Sequence, residues 1–243
     1  GAIGYLLPGR RARFNVAIRT VCIDKAKNAA EYGVGGGIVW DSEPGSEYAE
    51  CEVKAEVLVA KRPRFDLLET MLLEGPKGYF LLEEHLARLA GSAGYFGYPL
   101  DMPGIRRRLA ERGATMGDAE HRVRLLLSVA GDVSIEATPF QAVAAGSPWR
   151  VTIYGEPVNE DNPLLYHKTT ERSVYEHAKT ACPGCDDVLL RNTRGEITES
   201  TIANVVIEKG GRFFTPPVGC GLLPGVFRGY LLARGEISEK VLT

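Results

Sequence analysis

The chain has 243 residues, 44% of them hydrophobic, which is enough apolar material for one or two cored domains. Its formal net charge of −2 gives no support for nucleic-acid binding. No apolar run approaches the roughly 18 residues that would mark a membrane span, and the first residues show neither a methionine nor a signal-peptide pattern. Five cysteines, an odd number, argue against a disulfide framework. These features lead us to expect a piece of a longer cytoplasmic polypeptide.

Taken in chain order, Phe14 to Ile23 alternates in part and predicts a strand, and Ser46 to Ala60 has helical spacing. Phe65 to Leu73 predicts a strand. Leu82, Leu86 and Leu89 recur at four and three, an amphipathic helix ending near Gly91 to Gly97. Pro103 opens a second helix with Ile105 and Leu109 on one face, and Arg106, Arg107 and Arg108 form its solvated side. Val123, Leu125, Leu127 and Val129 alternate before Gly131-Asp132 turns into Val133 and Ile135, a hairpin. Trp149 to Tyr154 predicts another strand. Thr169 is expected to cap a helix around Val174 to Ala181. Strands follow at Val188 to Arg191 and Asn204 to Ile207, and Gly210-Gly211 turns into Phe213 and Phe214. Short strands with a few helices argue for α+β rather than a doubly wound sheet. Cys182-Pro183-Gly184-Cys185 is a CxxC with no second CxxC or paired histidines beside it, so a metal or redox role is not expected.

Three features between Tyr166 and Gly229 together make the set of handles that pyridoxal phosphate requires. An aldehyde cofactor needs an amine that is neutral near pH 7, and a desolvated lysine supplies it; Lys168 is the candidate. The ring nitrogen needs a carboxylate to hold its proton, and Glu196 and Glu199 both qualify by type. The phosphate needs backbone N–H groups at a helix start. Leu223-Pro224-Gly225-Val226-Phe227 precedes the helical run GYLLAR, with Gly225 for the close turn and Val226 and Phe227 for amides. Each feature alone has a blander reading: a solvated lysine, a hairpin glutamate, an ordinary Pro-Gly turn. His167 adjoins Lys168 and is read equally as site lining or packing.

In this order the motifs resemble the fold-type IV pyridoxal-phosphate enzymes, over roughly residues 64 to 240. The resemblance implies a small α/β domain and a larger barrel-like domain with the cofactor between them. It implies that Lys168 bonds the cofactor, and it selects Glu199 over Glu196, because Glu199 stands in TES with Asn204 following. Leu223, Gly225, Val226 and Phe227 then bind phosphate, and FLLEEHLARLAGSAGYFGY resembles the helix that brings an arginine to it, here Arg88. Thr70 is a hydroxyl expected near the leaving group. The family implies a homodimer.

The first sixty residues are similar to the C-terminal end of chorismate-binding enzymes. The similarity rests on Arg19 in AIRT, the glycines of GVGGGIV, the DSEP turn, and Glu47 and Glu50 before Lys54. It implies that Arg19, Gly35, Gly36, Gly37 and Lys54 face chorismate, and that Glu47 and Glu50, on one helix face, serve Mg2+ if the domain is complete. We therefore expect residues 1–60 to be a chorismate-binding fragment, 64–147 a small domain and 148–243 a large one. A chorismate enzyme joined to this family resembles a bifunctional aminodeoxychorismate synthase component I and 4-amino-4-deoxychorismate lyase, yielding 4-aminobenzoate and pyruvate for folate synthesis. A glutamine amidotransferase subunit is a possible partner of such a full-length protein. The competing readings are a branched-chain or D-amino-acid aminotransferase, which the same motifs serve, and a catalytically inactive fragment.

Overall fold

The computed structural model describes residues 2–17, 20–59, 64–141 and 148–243. The chain divides into two compact units, Gly1–Pro63 and Arg64–Thr243. In the first, β1 (Ala2–Leu7) and β2 (Arg11–Val16) form an antiparallel hairpin, β3 (Val21–Asp24) and β4 (Ala29–Tyr32) form another, and α1 (Pro44–Val59) follows. The strand expected over Phe14 to Ile23 is thus two strands of separate hairpins, and β1 had no counterpart among the expected elements. The β1–β2 turn needs Gly9, whose φ of +83° suits glycine. None of this unit's described residues is buried, and Ile3, Leu6, Phe14, Ile38 and Trp40 are exposed.

The second unit opens with β5 (Leu67–Glu74), α2 (Leu82–Phe96), α3 (Met102–Ala114), β6 (Glu120–Leu127) and β7 (Val133–Pro139). The three strands make one antiparallel sheet in the order β5-β6-β7. Side chains alternate between faces of a strand. Leu67, Met71 and Leu73 of β5 accordingly join Val123, Leu125 and Leu127 of β6 in a core with Leu86 and Leu89 of α2 and Ile105 and Leu109 of α3. Each such side chain contributes roughly 1.5–3 kcal/mol on burial. Helix α2 ends at Gly97, which is left-handed (φ +72°) and returns its N–H to the Ala93 carbonyl. Helix α3 is capped by the Asp101 carboxylate, which accepts from Gly104 N at 3.0 Å. The arginines beyond that cap are solvated as expected, with Arg106 paired to Glu83 at 2.5 Å.

The remainder contains β8 (Val151–Ile153), α4 (Ser173–Ala181), β9 (Asp187–Arg191), β10 (Ile197–Ser200), β11 (Ile207–Lys209), β12 (Arg212–Thr215), α5 (Val226–Ala233) and β13 (Ser238–Glu239). Strands β8 and β9 are parallel, with α4 in the connection, and β10 adds antiparallel to β9. A second core gathers Val158, Leu165, Ala178, Val188 and Leu190. The second unit mixes helices and sheets as expected of an α+β chain. The expected boundary near 147 adjoins residues 142–147, which lie outside the described residues. Two expectations fail here. The strand expected over Asn204 to Ile207 starts only at Ile207, because Asn204 makes an isolated bridge to Glu199 instead. Thr169 does not cap α4: its hydroxyl donates to the Glu171 carbonyl, and Arg172 occupies the cap position with no side-chain cap bond. The five cysteines are free, and no helix among the described residues is long and apolar enough to cross a membrane.

Candidate active site

Lys168 is fixed by its neighbours. Leu68 N donates to the Lys168 carbonyl at 2.9 Å, Thr170 N to the Asp66 carbonyl at 2.9 Å, and Asp66 N to the Thr170 hydroxyl at 2.9 Å. The HKTT segment is therefore laced to the start of β5. Its lysine faces a cavity of about 790 Å³ that is also lined by Thr70, Arg88, Glu199, Asn204, Leu223, Gly225, Val226 and Phe227. Burial pushes the Lys168 ammonium below the ordinary lysine range, and the charge of Arg88 adds to this. His167 points elsewhere. Its Nδ1 lies 2.9 Å from the Ser92 hydroxyl and its ring packs on Tyr95 and Phe96, so it packs and does not line this cavity.

Glu199 is buried at the end of β10, and three donors converge on it. Tyr175 Oη donates to Oε1 at 2.8 Å, Leu223 N to Oε1 at 3.2 Å and Asn204 Nδ2 to Oε2 at 3.2 Å. Burial still outweighs these bonds and raises the carboxyl to about 7. Burial and the neighbouring carboxylate push the Tyr175 phenol well above the tyrosine range, so it stays a donor. Glu196 is different: Arg194 and Asn192 bond its carboxylate and hold it at about 2, and it is not among the cavity-lining residues.

Asn204 joins this carboxylate to the next turn, since its Nδ2 also donates to the Leu223 carbonyl at 2.9 Å. Gly225 is the N-cap of α5, and a Cβ there would collide with the Asn204 amide oxygen. That close approach is the physical requirement for glycine in the LPG turn. Among the described residues no side chain caps α5, so its first turn presents uncapped N–H groups beside the cavity. Arg88 reaches the same place from α2. Its Nε and Nη2 grip Glu69 at 2.8 and 2.6 Å, and Nη1 donates to the Pro224 carbonyl at 3.2 Å.

Glu69 lies on the core face of β5 and is 1% exposed, whereas Thr70 and Leu72 on the opposite face line the cavity. His85 Nδ1 lies 2.7 Å from Glu69 Oε2. Burial alone would raise the Glu69 carboxyl, but the hydrogen bonds from Arg88 and His85 hold it below the usual range. Glu69→Gln leaves a buried guanidinium without its acid, and is expected to destabilise the fold by about 3–5 kcal/mol. Urea unfolding measures this, and an unchanged midpoint would show that the pair is not what fixes Arg88. Sequence reading missed Glu69, His85, Arg172 and Tyr175. The signals present were a glutamate amid the leucines of β5 and a tyrosine one helical turn beyond Arg172.

In the first unit, Gly35, Gly36, Glu47, Glu50 and Lys54 come together. Lys54 Nζ donates to the Gly35 carbonyl at 3.0 Å and pairs with Glu50 at 2.8 Å. A Cβ on Gly36 would lie 3.1 Å from Glu47 Oε2 and 3.9 Å from Glu50 Oε2. The Ser42 hydroxyl donates to Glu47 at 2.6 Å. Gly37 has open space at its α-carbon, and Arg19 lies outside the described residues. Among the described residues no group of three or more His, Cys, Asp or Glu side chains is arranged to hold a metal ion.

The comparisons with known proteins follow the same division. Residues 1–60 match the model for chorismate binding enzymes, and residues 66–243 that for amino-transferase class IV. The chain is 37% identical over 182 residues to a "Putative aminodeoxychorismate lyase" of Schizosaccharomyces pombe, covering 72% of this chain and 76% of that protein. A crystal structure of a "Putative amino-acid aminotransferase" from Mesorhizobium loti superposes with a TM-score of 0.69 at 37% identity, over 74% of this chain and 87% of that one. The N-terminal stretch is 41% identical over 58 residues to anthranilate synthase component 1 of Saccharolobus solfataricus, 24% of this chain but only 13% of that relative. With three quarters of its length matched and the lysine, carboxylate and glycine turn gathered in one cavity, the chain belongs to the class IV amino-transferase family.

Proposed function

We propose that this chain is a pyridoxal-phosphate-dependent 4-amino-4-deoxychorismate lyase, joined to the end of an aminodeoxychorismate synthase component I. The observation that carries the choice is the pairing of a relative named as such a lyase with a chorismate-enzyme stretch in the same chain. Two consecutive steps on one intermediate would then share a polypeptide. The second unit is read as a small domain, 64–147, and a large one, 148–243.

The cavity fits the cofactor on its own chemistry. Lys168 is a desolvated amine, Glu199 is a buried carboxylate held by three donors, and Gly225 opens an uncapped helix start next to Arg88. Lys168 would bond the aldehyde, Glu199 the ring nitrogen, and Arg88 with the Val226 and Phe227 amides the phosphate. When bound, pyridoxal phosphate supplies an aldehyde for the substrate amine and a ring that takes up an electron pair. Lys168, as the free amine, removes the proton from the amine-bearing carbon of the substrate. A positioned base of this kind contributes ~10²–10⁴-fold. Glu199 holds the ring-nitrogen proton, and Thr70 presents a hydroxyl to the departing enolpyruvate. Loss of that proton and of enolpyruvate from adjacent carbons makes the substrate ring aromatic, which drives the cleavage forward.

The family resemblance also supports a homodimer, and the chorismate stretch supports an amidotransferase partner and magnesium at Glu47 and Glu50 in the complete protein. Product analysis tests the reaction. Aminodeoxychorismate should give 4-aminobenzoate and pyruvate in equal amounts with no keto acid added. Amino transfer from glutamate or a branched-chain amino acid, with no pyruvate released, would assign an aminotransferase instead.

A further inference from the structure

Among the described residues three arginines line the cavity: Arg88, Arg172 and Arg228. Two of them are neutralised by acids of the chain, Arg88 by Glu69 at 2.6 Å and Arg228 by Glu239 at 2.5 Å. Among the described residues Arg172 has no carboxylate partner. Its guanidinium instead lies over the Tyr175 ring, 4.6 Å from the centroid, and Nη2 donates to the Thr201 carbonyl. The ring contact and the hydrogen bond hold the group in place. A guanidinium carries five N–H donors, so most of them remain for a ligand.

The cavity's own acid does not use those donors. Glu199 is bonded by Tyr175, Leu223 and Asn204. Nor does Arg172 belong to the proposed phosphate cradle, which is built from α2 and α5, whereas Arg172 stands at the N-cap position of α4. The Arg172 charge acts on Glu199 only through space, with no hydrogen bond between them, and a partly buried cation not bonded to an acid gains from an anion that reaches it. A flat, immobilised fork is the shape that meets a carboxylate through two parallel hydrogen bonds. Leu72, Phe140, Ile202 and Val206 give the same cavity apolar lining.

We propose that Arg172 determines specificity by binding a carboxylate of the substrate, so that the cavity selects amines that also carry an acid. The identity of the acid rests on the lyase reading, but the selection does not. The test compares 4-aminobenzoate with 4-aminobenzamide, which keep the same amine and differ in charge, by calorimetry on the protein loaded with pyridoxal phosphate. Wild type should bind the acid roughly 10- to 100-fold more tightly than the amide. Arg172→Gln should bind both alike, near the wild-type affinity for the amide, and Arg172→Lys should fall between. With aminodeoxychorismate, Arg172→Gln should raise KM and change kcat little. Wild type that binds acid and amide equally overturns the proposal without any variant. So does an Arg172→Gln protein that retains the preference, or one that loses affinity for both ligands equally. Failure of the lyase reading looks different: no pyruvate from aminodeoxychorismate, with the preference for the acid intact and dependent on Arg172.

Discussion

Lys168→Ala is expected to abolish covalent capture of pyridoxal phosphate and to slow turnover by ~10²–10⁴-fold or more. Among the described lysines Lys168 is the one that lines the cavity, and burial with the nearby Arg88 charge lowers its affinity for a proton. A larger share of it is the neutral, nucleophilic amine at pH 7 than for a solvated lysine. The fold should survive the change. The contacts that place this residue are backbone bonds and the Thr170 hydroxyl, which alanine leaves intact. Borohydride reduction followed by peptide mapping reads the result directly. Wild type should carry the label on the peptide containing Lys168, and the variant should carry none. Label on any other lysine would remove Lys168 from its proposed role whatever the activity.

The parts of this molecule that were legible in the sequence are those set by local pattern. Alternation of Val123, Leu125 and Leu127 gave away β6, and the spacing of Leu82, Leu86 and Leu89 marked α2; all six of these side chains except Leu82 are buried in one core. Lys168 and the Leu223 to Phe227 turn stood out as candidate handles, whereas Glu196 and Glu199 were equal by residue type and only the family resemblance selected Glu199. What stayed hidden depends on distant partners. Glu69 becomes informative only when Arg88 and His85 of α2 close on it. Tyr175 acquires a role only when its hydroxyl reaches Glu199, 24 residues on. Arg172 stands out only by comparison with the two paired arginines of the same cavity. Thr169 misled because a threonine ahead of a helical run is a good cap by type, whereas here its backbone pairs with Leu67 and its hydroxyl turns to Glu171. In the first unit the alternation from Phe14 onward did not reveal that it crosses from one hairpin to the next, since no buried face enforces a single register there.

Glu199→Gln should change both the stability profile of the cofactor-free protein and the turnover of the loaded one. Burial raises the Glu199 carboxyl from an ordinary value of 4.5 to about 7. Between those values the folded protein keeps a proton that the unfolded chain has released. Stability from this group is therefore full below about pH 4.5 and is lost as pH rises through about 7. The difference corresponds to roughly 3 kcal/mol. Glutamine does not titrate, so urea unfolding of Glu199→Gln across pH 4.5 to 8 should lack that decline. Wild type and variant should converge in acid and separate above neutrality, with the variant the more stable. Binding of pyridoxal phosphate should still occur, because Lys168, Arg88 and the α5 amides are untouched. Turnover should nevertheless fall by ~10²-fold or more, since a neutral amide does not hold the charge of a protonated ring nitrogen. Glu196→Gln serves as the control. Its carboxylate is bound by Arg194 and Asn192 away from the cavity-lining residues, so neither the decline above pH 4.5 nor the turnover should change much. A pair of profiles with these two behaviours exchanged would mean that Glu196, and not Glu199, is the carboxylate that serves the ring.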